Sequence, residues 1–206
     1  MKKLGFALIF VLYVTNASGQ TINPAAAIMA RAVKKAKADA AFLTEHYKVT
    51  RQNKLVKQDD PVPTDDPPKL KLDLTDVFGR GRYQYRLLNM IWYQDNVAYV
   101  IEFRPAKNQP KSKGTLTEKV TNDVLNKLEG VVYLSKEDYG TMALRATLAE
   151  PAGYFYCRVA KAEVTLQSEK KDSVWEPETI DLDIKLKLLF IPFRRKYEST
   201  FTYTSK

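Results

Sequence analysis

The sequence has few of the side chains that enzymes and metal proteins use for chemistry. Its 206 residues include one histidine, His46, and one cysteine, Cys157. A single cysteine excludes an intramolecular disulfide, so the fold is expected to hold by its core alone. A single histidine excludes a histidine-rich metal site. No Gly-rich phosphate loop, nucleophile elbow or HExxH pair is present. We therefore expect a protein that is not an enzyme and that uses no metal or cofactor.

One pair of carboxylates leaves an alternative open. Asp181 and Asp183 are two residues apart in a strand-like pattern, so both point to the same face. Paired carboxylates act as general acid and base when they meet across a cleft. These two are interleaved with lysines, and that arrangement is more typical of a solvated strand surface.

Long apolar runs are also missing, except near the N-terminus. Lys2 and Lys3 precede an apolar run over residues 4–14. This run is too short to span a bilayer, because a spanning helix needs about 20 residues. Ala17-Ser18-Gly19 then provides the small residues that a signal peptidase reads.

These features predict a signal peptide over residues 1–19, cleaved before Gln20. The mature chain, 20–206, is long enough for a single domain with a sizeable core. We therefore expect an exported protein, in the periplasm or otherwise outside the cytoplasm, that is soluble after cleavage. The alternative is an uncleaved membrane anchor.

The charge of the chain is strongly positive, with a formal net charge of +9. A basic balance often indicates a nucleic-acid partner. In an exported protein, anionic lipid headgroups or an acidic envelope surface are more plausible partners, and we expect no nucleic acid. The charges are scattered along the strand-like runs, so the alternative is that they form a solvated surface without a partner.

The order of sequence patterns indicates one helix followed by many strands. Asn23-Pro24 is typical of a helix start, and apolar residues recur at helical spacing from there to about residue 43. A Pro- and Asp-rich stretch at 58–68 is typical of a surface loop, and residues 115–128 favour a short helix. Runs with a period of two predict strands at 46–56, 82–93, 97–104, 130–134, 141–148, 154–167, 180–191 and 196–204. This order predicts an α+β fold in which the N-terminal helix packs on a curved antiparallel sheet.

A sheet of this kind has more apolar residues than one helix can cover. The surplus predicts a partly open hydrophobic cavity, although ordinary sheet packing would use the same residues. We expect an apolar ligand to contact five aromatic side chains, Tyr83, Tyr85, Trp92, Tyr99 and Phe103. We expect lipid headgroups or a partner to contact the lysines of the following basic loop, Lys107, Lys111 and Lys113.

Two segments resemble motifs of a known family. Residues 97–105, Val-Ala-Tyr-Val-Ile-Glu-Phe-Arg-Pro, are similar to a Y-x-hydrophobic-x-F-x-P strand of the lipoprotein-localisation factors LolA and LolB. Residues 128–140 resemble the next hairpin of that superfamily, G-x-hydrophobic-tyrosine-hydrophobic-x-K-x-D. Exported Bacteroidetes proteins often carry this version of the pattern.

The resemblance implies a half-open β-barrel whose concave face is plugged by helices. It also implies a single lipid-binding domain that shelters acyl chains of a lipid or lipoprotein, as a carrier or as a sensor. Peripheral contact with an envelope membrane would fit either role. The alternative function is a structural or interaction module of the cell envelope, whose apolar sheet face docks a protein partner.

Overall fold

The computed structural model of the chain describes residues 23–58, 74–109, 114–188 and 191–206. The predicted signal peptide and its cleavage position lie outside these residues. So do Lys111, Lys113 and nearly all of the predicted loop at 58–68.

The described residues form three helices and nine strands. The helices are α1 (Pro24–His46), α2 (Leu74–Phe78) and α3 (Leu116–Asn126). The strands are β1 (Tyr47–Gln58), β2 (Tyr83–Tyr93), β3 (Asn96–Pro105), β4 (Leu128–Ser135), β5 (Thr141–Leu148), β6 (Ala152–Tyr154), β7 (Cys157–Lys171), β8 (Val174–Leu188) and β9 (Ile191–Ser205).

All nine strands belong to one antiparallel sheet. Eight of them follow the order β1-β9-β8-β7-β5-β4-β3-β2, and β6 pairs with β7. β1 and β2 are the two edges, so the sheet is not closed. The predicted α+β class with an N-terminal helix is therefore confirmed.

The sequence of α1 explains why it packs closely on the sheet. The Asn23 side chain accepts a hydrogen bond from the Ala25 N–H at 3.0 Å and caps the helix, and Pro24 is the first helical residue. The buried residues of α1 are three, four or seven positions apart and therefore lie on one face: Ala25, Met29, Ala32, Asp39 and Leu43. Small alanine side chains let the helix approach the strands. We call the face that α1 covers the inner face and the opposite one the outer face.

α1 contacts both edges of the sheet. It contacts β1 and β2, the edge strands, as well as β8. It runs directly into β1, since α1 ends at His46 and β1 begins at Tyr47. One helix therefore touches strands that lie far apart in the sheet order.

The other two helices are short. α3 begins with a capping box, in which Thr115 and Glu118 each bond the other's backbone N–H. α2 has five residues, of which Val77 and Phe78 are buried. No helix in the described part of the chain is long and apolar enough to cross a membrane.

The strands define two ends of the sheet. The β2–β3, β4–β5 and β7–β8 turns lie at one end, which we call the upper end. The C-termini of β3 and β8, the N-terminus of β9 and the β6–β7 turn lie at the opposite, lower end.

Several strand boundaries in the C-terminal half differ from the sequence prediction, and the run predicted at 180–191 is divided between β8 and β9. The run predicted at 154–167 is interrupted, because Phe155 and Tyr156 form a turn between β6 and β7. β7 then continues past residue 167 to a tight turn, where Asp172 has a φ of 58°. The charged residues around this turn lack the alternation that identifies a strand, which is why the pattern ended early.

Candidate ligand-binding site

Three of the five predicted ligand-contacting residues lie together in a filled part of the interior. Tyr83, Tyr85 and Phe103 surround Phe78 of α2, with ring centroids 5.1 to 6.4 Å from it. Phe103 is fully buried. We call these four residues the aromatic core. It joins α2 to the start of β2 and the end of β3.

Hydrogen bonds fix the two tyrosines of the aromatic core. The Tyr83 hydroxyl donates to the Leu125 carbonyl of α3, and the Tyr85 hydroxyl donates to the Phe78 carbonyl at 3.2 Å. Burial raises the pKa of Tyr85 to about 12, and burial raises that of Tyr83 further. Both hydroxyls therefore stay neutral and serve as structural donors.

The other two predicted aromatic residues lie elsewhere. Tyr99 is half-buried and stacks on Tyr139, with centroids 6.3 Å apart, and the Arg31 guanidinium lies over Tyr139. Trp92 is 71% exposed near the upper end of β2. The structure thus divides the predicted set among three places.

The predicted headgroup lysines are described in part. Lys107 is exposed just beyond the C-terminus of β3, at the lower end of the sheet. The structure does not describe Lys111 and Lys113. Their role stays a prediction.

The space between α1, α2 and the sheet is nearly filled. A cavity of about 10 Å³ lies there, lined by side chains that include Met29, Phe78 and Val132. This volume corresponds to about one water molecule. An acyl chain therefore does not fit beneath α1 in this conformation.

A different part of the inner face offers more room. Ile184, on β8, packs at the border of the main core, and Leu186 follows on the same side of the strand. Leu186 stands opposite Val159 of β7 and Phe193 of β9. Ile184, Leu186 and Phe193 are only half-buried. On the β1 side, exposed Leu55 is opposite Tyr197 on the same face. We call Leu55, Val159, Ile184, Leu186 and Phe193 the apolar floor.

The register explains why sequence patterns alone did not identify the floor. Apolar and polar residues alternate in the segments before and after the β8–β9 connection. The sequence leaves open whether the apolar residues of the two segments lie on the same face of the sheet. In the structure Leu188 stands opposite Ile191, and Leu186 opposite Phe193. Both sets therefore share the inner face, where they form one continuous apolar surface.

Guanidinium groups lie at the polar border of the floor. Arg195 stands opposite Ile184 on the inner face and donates to the Tyr197 hydroxyl at 3.4 Å. Arg51 of β1 donates to the Ser199 hydroxyl at 2.9 Å, and burial lowers its pKa. This arrangement, with an apolar surface bordered by cations, suits an amphiphile with an anionic head.

The described residues offer little for other chemistry. No three His, Cys, Asp or Glu side chains lie close enough together there to hold a metal ion. Asp183, one of the two carboxylates considered from sequence, lies on the outer face and accepts two hydrogen bonds from Arg194, at 3.1 and 2.7 Å.

No protein-family model matches the chain, and no curated protein or solved structure is significantly similar to it. The resemblance to the lipoprotein-localisation factors therefore stays a prediction.

Proposed function

We propose that this protein is a non-enzymatic, exported binding protein that holds an acyl chain on the apolar floor. The observation that carries the proposal is the row formed by Val159, Leu186 and Phe193 on the inner face. Leu186 and Phe193 keep part of their apolar surface in solvent. Apolar surface gains about 25 cal/mol per Å² when a ligand removes it from water.

The contacts of α1 support a half-open barrel as the frame of this site. The contacts of α1 with both edge strands, β1 and β2, fit a sheet that bends around the helix. The inner face is then concave, and the floor is the part of the hollow beside the helix. Strand twist favours such curvature in a large antiparallel sheet.

The dimensions of the floor fit a single acyl chain. On β8, the floor residues Ile184 and Leu186 and the next residue on the same face, Leu188, span about 13 Å at about 3.3 Å per residue. One leaflet of a bilayer has a hydrocarbon thickness of about 15 Å, half of the whole core. A chain of that length lies along β8 without displacing α1.

The polar border orients the ligand. Arg195 and Arg51 lie on the β1–β9 side of the floor, where a carboxylate or phosphate head accepts their hydrogen bonds. The chain carries one histidine, and its N-terminal pattern indicates export. The single histidine favours binding over catalysis, and the N-terminal pattern favours a place outside the cytoplasm.

Native mass spectrometry of the chain purified from an exporting host tests the proposal, together with organic extraction of bound material. We expect one lipid per chain. Leu186→Glu and Phe193→Glu should abolish the adduct, because each places a charge on the floor. Trp92→Glu is the matched control, since it places the same charge on an exposed aromatic position at the other end of the sheet.

Circular dichroism and thermal melting establish that each variant is folded. Loss of the adduct in Trp92→Glu alone would show that the ligand binds at the upper end of β2 and not on the floor. A clean apo mass that persists after incubation with phospholipid and lipopeptide would overturn the proposal.

A second candidate function rests on the edge strand β2. Leu88, Met90 and Trp92 are exposed there, and an edge strand has unpaired backbone groups that a partner strand can bind. A stable complex with an envelope protein, lost in Trp92→Glu and free of lipid, would favour an interaction module.

A further inference from the structure

The lower end of the sheet carries an exposed cluster of large apolar side chains. Tyr154, Phe155 and Tyr156 lie at the β6–β7 turn, and Leu188 and Ile191 flank the β8–β9 connection. Phe155 is 79% exposed, and Leu188 and Ile191 are about half exposed, at 48% and 50%. We call these five residues the apolar tip.

Strand pairing brings the two connections of the apolar tip together. Cys157 is opposite Tyr154 on one side and Leu188 on the other. Leu188 is in turn opposite Ile191. The five apolar residues therefore form one patch on neighbouring strands. Contiguous exposed patches of this kind mark interaction sites.

The turn at Phe155-Tyr156 departs from ordinary turn chemistry. Tight turns favour Gly, Asn, Asp, Ser and Pro, which either adopt the required backbone angles or satisfy backbone groups. This turn instead places two aromatic side chains in solvent. Local departures of this kind are expected at functional sites.

Cations occupy the outer face at the same end of the sheet, on the side opposite Leu188 and Ile191. Arg158 on β7 stands opposite Lys187 on β8. Lys161 on β7 stands opposite Lys185 on β8, and Lys185 stands opposite Arg194 on β9. Lys161 forms an ion pair with Glu163 and Arg194 with Asp183, at 2.6 and 2.7 Å. Among the residues that the structure describes, no carboxylate lies within ion-pair distance of Arg158, Lys185 or Lys187, and all three are exposed.

We infer that the apolar tip docks on an anionic lipid surface. Phe155 and its apolar neighbours enter the boundary between headgroups and acyl chains, where tyrosines are also well accommodated. Arg158, Lys185 and Lys187 contact the headgroups. The charge of this patch matches an anionic bilayer, and the combination of aromatic and cationic residues is typical of peripheral membrane contact. This docking goes beyond the proposed ligand binding and does not depend on it.

Vesicle flotation of the protein purified from an exporting host tests the inference. One set of vesicles contains phosphatidylcholine alone, and the other contains equal parts of phosphatidylcholine and phosphatidylglycerol. We expect binding to the anionic set, weakened by salt. Equal binding to both sets, or none to either, would overturn it.

Two variants separate the apolar and the cationic contributions. Phe155→Ser should lower binding at least tenfold, whereas Trp92→Ser, at the other end of the sheet, should not change it. The pair Lys185→Gln and Lys187→Gln should lower binding about 25-fold, since each cation near such a surface contributes about fivefold. The control pair Lys34→Gln and Lys37→Gln removes the same charge from exposed positions of α1. If that control pair loses binding and the tip pair does not, α1 is the docking element and the inference is wrong.

A reporter at the tip distinguishes insertion from adsorption and from protein contacts. In Phe155→Trp, the new indole should shift its emission to the blue with anionic vesicles only. Unchanged emission would contradict insertion. Concentration-dependent dimerisation that Phe155→Ser abolishes, without vesicle binding, would assign the tip to contacts between copies of this chain.

The apolar tip adjoins the floor, since Leu188 and Ile191 continue the row of Leu186 and Phe193, and variants on each surface test the two roles apart. Leu186→Glu should lose the lipid adduct and keep vesicle binding, whereas Phe155→Ser should show the reverse. Loss of both properties in each variant would show that the two surfaces do not act separately.

Discussion

The lower end of the inner face is built differently on its two sides. On the β2–β3 side, α2 and α3 pack against the strands, and the aromatic core fills the space. On the β7–β9 side, the apolar floor is mostly aliphatic and stays half open. The difference lies in the second layer. Helices cover the aromatic residues on the β2–β3 side, which become part of the core. The floor on the β7–β9 side lacks this cover and can bind a ligand.

Removing a fully buried aromatic ring should give the largest effect. Phe103→Ala deletes a fully buried side chain whose ring lies 5.1 Å from those of Phe78 and Tyr83. We expect the free energy of unfolding to fall by about 3–5 kcal/mol in urea denaturation. Phe193→Ala on the floor should cost about 1 kcal/mol, because its side chain is only half-buried. Equal losses in the two variants would contradict the distinction between core and floor.

The next largest effect on stability concerns a buried charge on the β2–β3 side. Arg82 is 1% exposed, and its guanidinium donates to the side-chain oxygens of Asn126 and Asn122, both on α3. Asn126→Ala removes an acceptor from this charge, so unfolding should become easier by about 1–3 kcal/mol. The measurement is urea denaturation, with Asn89→Ala at an exposed position of β2 as the control. A change below that of the control would show that the buried charge does not need this acceptor.

A smaller, pH-dependent effect on stability is expected from an ion pair on the outer face of the β7–β9 side. The paired Arg194 guanidinium lowers the pKa of Asp183 below its ordinary value. A carboxyl whose folded-state pKa is lowered stabilises the fold above its unfolded pKa, and this stability is lost as the pH falls through the folded value. Asp183→Asn should therefore cost about 1 kcal/mol at neutral pH, given the partial exposure of the pair. Thermal melts should show the difference shrinking as the pH falls below about 4. A difference that persists in acid would assign the effect to packing.

The smallest effect on stability should come from the tip. Phe155→Ser should change the free energy of unfolding by less than about 0.5 kcal/mol, because the ring is largely in solvent. Urea denaturation of this variant beside Phe103→Ala compares two phenylalanines with opposite expected roles. A loss above about 2 kcal/mol would place Phe155 in the core, contrary to its exposure.

The sequence predicted much of the fold because its local signals are clear. The cap at Asn23-Pro24 locates α1, residues 115–128 were predicted as the short helix that is α3, and alternation locates the β2–β3 and β4–β5 hairpins. α2 is too short to show a helical period. The β6–β7 turn was not recognised, because Phe155 and Tyr156 are typical of strands.

The candidate site was less accessible from the sequence. Aromatic residues such as Tyr83, Trp92 and Phe103 look alike in a strand pattern, and only the packing of α2 and α3 separates buried rings from exposed ones. The floor depends on the β8–β9 register, which places Leu186 opposite Phe193. Neither long-range packing nor register is specified by local spacing.

The pairing of β1 with β9 has a consequence for the kinetics of folding. Tyr47 stands opposite Ser205, so the edge strand nearest the N-terminus finds its partner in the C-terminal strand of the sheet. Closing so long a loop is slow, because chain entropy must be lost before the contacts form. The backbone of β1 therefore stays without its partner until β9 has been synthesised.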